Sequence, residues 1–122
     1  MLKCILIVDD NAVIRRTLRN IFEQEGWQIC GEACNGLDAV EKAQELKPDL
    51  IVLDLSMPVM NGMEAAPRLR KILPRVPILV FSVYANAIPE EEVEAAGITA
   101  VVSKADNTRS LIKMARDLLQ VA

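Results

Sequence analysis

Short apolar runs alternate along the chain with longer segments in which apolar residues recur at helical spacing. The apolar runs predict strands at residues 3–8, 28–33, 49–53, 76–81 and 98–102. Most of the runs are continuous rather than alternating with polar residues, which is typical of parallel strands buried on both faces. Strands that alternate with helices predict an α/β fold, with a parallel sheet covered by helices on both faces and right-handed crossovers.

Helices are predicted in the segments that follow each strand. The first and last show the clearest apolar face, formed by Ile14, Leu18, Ile21 and Phe22 in one and by Leu111, Met114, Ala115 and Leu118 in the other. The turn sequences Asn35-Gly36 and Asn61-Gly62 mark the starts of the second and third helices. Pro67 is expected in the first turn of the third helix or at a kink, because proline has no N–H to donate. The fourth helix is predicted at roughly 88–96.

Size and composition narrow the classes of protein to which the chain can belong. Its 122 residues have the size of one domain, so a single domain over 1–122 is predicted. The net charge of −3, the absence of a basic run and the few aromatic residues argue against direct binding of nucleic acid. No apolar stretch has the length of a membrane span. Because the start of the chain runs directly into a strand, no signal peptide is expected.

Cysteine and histidine usage indicates a reducing compartment. The cysteines Cys4, Cys30 and Cys34 are odd in number, and the spacing of the last two matches no common zinc or redox motif. The chain has no histidine, so a zinc site is not expected. We interpret the cysteines as small buried or half-buried residues of a cytoplasmic protein.

Carboxylates follow two of the predicted strands directly. The run 50–53 ends at Asp54, and the run 5–8 ends at Asp9 and Asp10. The carboxyl ends of parallel strands form the edge of an open sheet where ligands bind. Three carboxylates at that edge repel one another unless a cation lies between them, and Mg²⁺ prefers oxygen ligands of this kind. The alternative is that these acids only cap the loops and helices that follow.

Two further polar residues follow strands at the same predicted edge. Ser82 comes after the run 78–81, and Lys104 comes after 100–103. Three acids, a hydroxyl and an ammonium group suit phosphoryl transfer, in which an aspartate acts as nucleophile and the other groups bind phosphoryl oxygens. The simpler interpretations are a loop cap for Ser82 and a surface lysine for Lys104. Arg15, Arg16 and Arg19 are interpreted as solvated.

The chain resembles the receiver domain of bacterial two-component response regulators. The motifs that carry the resemblance stand in the family's order and cover nearly the whole chain: Val8-Asp9-Asp10-Asn11, Val52-Leu53-Asp54-Leu55-Ser56-Met57-Pro58, Asn61-Gly62, Phe81-Ser82 and Val102-Ser103-Lys104. The resemblance implies a flavodoxin-like, doubly wound α/β fold. Its five-stranded parallel sheet would have the order 2-1-3-4-5 and be flanked by five helices.

The resemblance also implies a role for each carboxylate. Asp54 would accept the phosphoryl group. Asp10, Asp54 and the backbone carbonyl of Ser56 would bind Mg²⁺ directly, and Asp9 would bind it through water. The phosphoryl group would come from a sensor histidine kinase or a phosphotransfer protein. The only chemistry implied is self-catalysed phosphorylation and dephosphorylation, so the chain is not expected to be an enzyme that acts on other molecules.

Ser82 and Lys104 would bind the phosphoryl group once it is attached. The response would be a change in the surface formed by the fourth helix, the fifth strand and the fifth helix. That surface would control a homodimer, an output domain or another partner. The chain would then be either a stand-alone receiver or part of a longer regulator, with receivers of helix-turn-helix regulators the most similar group.

The chain departs from many receivers at two positions. Val101 stands where an aromatic residue often reorients on activation, and Ala105 stands where proline often follows the lysine.

Two rival interpretations of the function remain open. One is a degenerate receiver that binds partners without phosphorylation, although every expected site residue is present. The other is a phosphatase with an aspartate nucleophile, which commonly has a second aspartate where this chain has Ser56. A flavin-binding module is weaker, since no phosphate-binding loop follows the first strand.

Overall fold

Five strands alternate with five α helices in the computed structural model, which describes residues 2–120. The elements, in chain order, are β1 (Cys4–Val8), α1 (Ala12–Gln24), β2 (Gln28–Ala33), α2 (Gly36–Leu46), β3 (Leu50–Leu53), α3 (Gly62–Ile72), β4 (Ile78–Ser82), a 3₁₀ helix (Ala85–Ala87), α4 (Glu90–Ala95), β5 (Ala100–Ser103) and α5 (Thr108–Gln120). The predicted strands are confirmed, with ends that differ by at most two residues. No helix within 2–120 is both long and apolar enough to cross a bilayer.

The sheet is parallel and has the order β2-β1-β3-β4-β5, which confirms the predicted fold. The chain order reverses between β1 and β3, where an open α/β sheet forms a crevice at its carboxyl edge. In the register of these strands, Val8 pairs with Leu53 and Leu53 pairs with Val80. The residues that follow β1 and β3 and the last residue of β4 are therefore delivered to one edge.

The core has two halves, one on each face of the sheet. Leu6 and Val8 of β1 pack with α2 and α3 on one face, whereas Ile5 and Ile7 pack with α1 and α5 on the other. All four side chains are at most 1% exposed, and each contributes roughly 1.5–3 kcal/mol through its burial. Burial on both faces explains why the strands read as continuous apolar runs. It also holds the strand ends rigidly where the polar residues follow.

Asparagine side chains begin the three helices that surround the edge. Asn11, Asn35 and Asn61 accept hydrogen bonds from backbone N–H groups in the first turns of α1, α2 and α3. At α3, Glu64 returns the bond to the cap residue, which completes a capping box. Pro67 lies in the second turn of α3, not the first, and the helix continues past it to Ile72. Its side chain is exposed, and the missing N–H removes one helical hydrogen bond.

The prediction that the cysteines are buried or half-buried holds for Cys4 and Cys30 and is wrong for Cys34. Strand β2 ends at Ala33, so Cys34 lies in the exposed loop before α2. Burial, together with the neighbouring Cys4 thiol, raises the pKa of Cys30 to about 12. The thiolate, which is the reactive form, is therefore scarce at neutral pH.

Candidate functional site

The carboxyl ends of β1 and β3 bring three aspartates together. The Asp54 N–H donates to the Val8 carbonyl at 2.9 Å, so Asp54 continues the pairing of the two strands. Asp9, Asp10 and Asp54 each offer a carboxylate oxygen, and these three oxygens lie within 4.8 Å of one another. Asp9 and Asp54 are buried, with 2% and 5% exposure, whereas Asp10 is exposed. The arrangement is open to solvent on the Asp10 side.

This donor set fits a hard divalent cation. It consists of oxygen atoms alone, which is the ligand type that Mg²⁺ takes, and soft ligands are absent from the cluster. Burial, and then the negative charge of Asp9, raise the pKa of Asp54, while Lys104 and the Leu55 N–H act in the opposite direction. Burial of the Asp54 carboxylate and repulsion by Asp9 both disfavour its charged form, and a bound cation would favour that form.

Lys104 reaches the same cluster from the end of β5. Its Nζ donates to Asp9 Oδ2 at 2.8 Å and lies 3.5 Å from Asp54 Oδ1. The ammonium group also lies 5.9 Å from the centre of the Phe81 ring, close enough for a cation–π contact. The interpretation of Lys104 as a surface lysine is therefore wrong, because the side chain is the counter-ion of two buried acids.

Ser82 ends β4 beside the cluster and is fully buried. Its hydroxyl oxygen accepts the Tyr84 N–H at 3.0 Å, which shapes the loop that follows. Its backbone carbonyl accepts the Lys104 N–H at 3.0 Å. The loop-capping role considered for Ser82 is thus present, and it links the site to an exposed segment, since Tyr84 is 55% exposed.

The loop between β3 and α3 passes very close to the Asp54 backbone. The Gly62 N–H donates to the Leu55 carbonyl at 2.9 Å. A Cβ atom at Gly62 would lie 2.3 Å from the Asp54 carbonyl oxygen, so only glycine fits there. Ser56 is exposed in this loop, and its role as a carbonyl ligand stays a prediction. Val59 adopts a left-handed backbone with φ of 67°, which is unusual for a β-branched residue.

The sequence interpretation missed the contacts of Arg15 and Arg19, which are not simply solvated. Arg15 Nη1 donates to the Asp9 carbonyl at 2.7 Å and its Nε to Glu32 Oε1 at 3.1 Å. Arg19 Nε donates to Glu32 Oε2 at 2.8 Å. Burial raises the pKa of Glu32, but hydrogen bonds and charge from Arg19 and Arg15 outweigh it, so the pKa is lowered overall. The sequence shows that Arg15 and Arg19 lie one helical turn apart and that β2 has a single acid, but it does not show that the helix and the strand meet.

Comparison with known proteins connects these features to one family. The family model described as the response regulator receiver domain matches residues 5–116. The chemotaxis protein CheY of Thermotoga maritima is 48% identical over 80 residues, which cover 66% of this chain and 67% of that protein. A protein-glutamate methylesterase/protein-glutamine glutaminase of Hahella chejuensis is 39% identical over 102 residues, covering 82% of this chain and 29% of the relative. The chain thus spans less than a third of that methylesterase.

Solved structures show the same fold over nearly the whole chain. The response regulator domain of Thermotoga maritima CheB superimposes with a TM-score of 0.88 at 30% identity and covers 100% of this chain and 99% of its own. The response regulator TrrA from Thermotoga maritima, solved in complex with Mg²⁺-BeF, gives 0.87 at 31% identity. That comparison covers 96% of this chain and 99% of TrrA.

Proposed function

The chain belongs to the response regulator receiver domain family, and on that premise we propose that it is a two-component switch phosphorylated on Asp54. The observation that carries the proposal is the cluster in which Asp54 lies with Asp9 and Asp10 while Lys104 bridges Asp9 and Asp54. Mg²⁺ is the cofactor, and the donor is a phosphohistidine on a sensor kinase or a phosphotransfer protein. The protein acts in the cytoplasm.

Each site residue has a defined role in the proposed reaction. An Asp54 carboxylate oxygen bonds to phosphorus while the bond from phosphorus to the donor nitrogen breaks, and the electron pair stays with the donor. Asp10, Asp54 and the Ser56 carbonyl would hold the cation, and Asp9 would bind it through water. When bound, Mg²⁺ neutralises charge on the phosphoryl oxygens. The Lys104 ammonium and the Ser82 hydroxyl bind the phosphoryl oxygens that remain.

The chemistry is limited to the chain's own phosphorylation and the later loss of the phosphoryl group. The methylesterase named among the relatives is more than three times as long as the segment that it shares with this chain. We infer that the output is the surface of α4, β5 and α5, which docks an output domain, a second copy or another partner. A receiver that works without phosphorylation is the alternative.

The first prediction tests phosphorylation directly. The protein is incubated with acetyl phosphate and weighed intact, with Mg²⁺ or with a chelator. One phosphoryl group per chain is expected with Mg²⁺ and none with the chelator, because the clustered acids would otherwise repel the anionic donor. Tandem mass spectrometry after reduction with borohydride should locate the modified residue. An unmodified protein at saturating donor and Mg²⁺ would favour the phosphorylation-independent alternative.

The second prediction concerns the route by which the signal leaves the site. Val101 is half-buried against the α2–α3 face of the core and has no ring to reorient. The Ser82 hydroxyl instead holds the Tyr84 N–H. If that hydroxyl turns to a phosphoryl oxygen, Tyr84 loses its hydrogen-bond acceptor and the loop 83–88 must change. Mg²⁺ and beryllofluoride should therefore alter amide hydrogen exchange in 83–88 by severalfold.

The matched control for the loop is Ser82→Ala. This variant lacks the hydroxyl, so its 83–88 amides should exchange faster before any ligand is added and respond little to beryllofluoride. Unchanged exchange in 83–88 of the parent protein, together with altered exchange in α4 or α5, would show that the signal bypasses this loop.

A further inference from the structure

Arg15 joins the β1–α1 connection to strand β2. It lies near the start of α1, and its side chain is 19% exposed. One end of the guanidinium donates to the Asp9 carbonyl at 2.7 Å, and the Nε donates to Glu32 at 3.1 Å. These bonds connect α1, the end of β1 and β2 through a single planar group. Arginine suits this arrangement because its donors have a fixed geometry.

The carbonyl that Arg15 binds belongs to the peptide linking Asp9 to Asp10. The Asp10 side chain is exposed, and its carboxylate has no hydrogen-bond partner among residues 2–120. Its position therefore depends on the backbone that carries it. That backbone is held on one side by the Asn11 N–H, which donates to Asp9 Oδ1 at 2.9 Å. It is also held by Arg15, which donates to the Asp9 carbonyl.

Glu32 fixes the position of Arg15 in turn. It lies on β2 opposite Ile7 of β1 and accepts hydrogen bonds from Arg15 and Arg19. Lys42 of α2 donates to the Glu32 backbone carbonyl. The Glu32 backbone is thus held by the pairing with β1 and by Lys42 of α2, and its carboxylate is held by Arg15 and Arg19 of α1. Arg15 has little freedom to leave the Asp9 carbonyl.

We propose that Arg15 is a positioning residue for the cation site, held in place by Glu32, and this inference rests on the proposed Mg²⁺ site. By fixing the peptide between Asp9 and Asp10, Arg15 places the exposed carboxylate before the cation arrives. Groups that orient metal ligands in this way commonly change affinity by about 10-fold to 100-fold when they are altered. Without Arg15, binding would have to order the loop as well.

If the charge of Arg15 were its only contribution, its removal would strengthen Mg²⁺ binding, whereas the positioning role predicts weaker binding. This difference makes the inference testable. A guanidinium near three acids repels an incoming cation, so its loss would tighten Mg²⁺ binding if charge were its only effect. Arg15→Lys retains the charge but lacks the planar fork that makes both bonds. Arg15→Met removes charge and fork together. Positioning predicts weaker binding in both variants, whereas charge predicts no change in the first and tighter binding in the second.

The experiment is calorimetric titration of the full chain with MgCl₂. We expect Arg15→Lys and Arg15→Met to weaken Mg²⁺ binding about tenfold, and Glu32→Gln, which changes none of the three acids of the site, to weaken it severalfold. Arg16→Gln is the matched control, because Arg16 is the exposed neighbour on the same helix; its affinity should equal that of the parent. Saturating Mg²⁺ should restore the phosphorylation rate of the Arg15 and Glu32 variants.

The outcomes separate this inference from the proposed function. If the parent binds Mg²⁺ and both Arg15 variants bind it equally well or more tightly, the positioning role is wrong and the proposed function stands. If saturating Mg²⁺ does not restore phosphorylation, the defect is general damage to the fold, and the inference is overturned. A parent protein that neither binds Mg²⁺ nor accepts a phosphoryl group would overturn both.

Discussion

Asp54→Asn is expected to abolish phosphorylation and, at the same time, to make the metal-free protein more stable. The amide has no anionic oxygen to attack phosphorus, so acceptance of a phosphoryl group from acetyl phosphate should fall to background. The substitution keeps the side-chain shape and an oxygen that can accept the Leu55 N–H. It removes a buried negative charge beside Asp9, whose repulsion contributes to the raised pKa of Asp54.

The stability gain depends on pH in a direction that follows from the raised pKa. The folded state binds the Asp54 proton more tightly than the unfolded state does. The free energy of unfolding therefore falls as pH rises from 3.8, the ordinary pKa of the carboxyl group, through the raised pKa of the folded state. Above that pH range the charged Asp54 carboxylate destabilises the folded state. Below it the carboxyl group is protonated and this destabilisation is absent. Asp54→Asn should therefore be more stable than the parent near pH 7. The two proteins should converge near pH 3.

Thermal unfolding without Mg²⁺ measures this difference, since 1 kcal/mol raises Tm by roughly 3–6 °C in a domain of this size. Asp117→Asn is the control, because Asp117 is an exposed acid on α5, and its Tm and phosphorylation should match those of the parent. A phosphorylated Asp54→Asn protein would show that another residue is the acceptor. A lower Tm at pH 7 would show that Lys104 compensates the charge of Asp54 fully.

The sequence predicted the sheet and the positions of the acids because both depend on local patterns. A continuous apolar run that ends at a carboxylate reports a buried strand and its carboxyl end together. The strand order came from the family resemblance, because the spacing of strands alone does not specify which of them are neighbours. Glycine at position 62 is explained only by the three-dimensional contact with the Asp54 carbonyl.

Two features were predicted less well, one for a local reason and one because it depends on a tertiary contact. Helix α4 is shorter than the predicted 88–96, because Ile88 and Pro89 have extended backbones and the helix begins only at Glu90. A residue before proline disfavours the helical region, which explains the late start. The Arg15–Glu32 bond could not be predicted, since helical spacing places Arg15 on a face of α1 without specifying the strand that it meets.

Lys104→Ala is expected to have the opposite effect on stability from Asp54→Asn. The ammonium group lies 2.8 Å from Asp9 Oδ2 and 3.5 Å from Asp54 Oδ1, so its removal leaves two buried acids without their counter-ion. Breaking a buried ion pair from one side destabilises a protein by roughly 2–4 kcal/mol. The metal-free variant should therefore unfold at a lower temperature than the parent.

Mg²⁺ should reverse much of that loss. The cation would replace the missing positive charge, and without the competing ammonium group the acids should bind Mg²⁺ several times more tightly. A ligand that binds only the folded state stabilises it more as its affinity rises, so added MgCl₂ should raise the Tm of Lys104→Ala more than that of the parent. Lys113 is exposed on α5, so Lys113→Ala should have the same Tm as the parent both with and without MgCl₂.

Phosphorylation distinguishes a counter-ion from a Mg²⁺ ligand at position 104. A charged lysine cannot coordinate a cation, but it can pair with a phosphoryl oxygen. Lys104→Ala should therefore still acquire a phosphoryl group on Asp54, while its α4, β5 and α5 amides respond little in hydrogen exchange. A large loss of Mg²⁺ affinity in this variant would contradict the assignment, because only a residue that supports the cation site could produce it. A full response without Lys104 would mean that Ser82 alone carries the signal from the phosphoryl group.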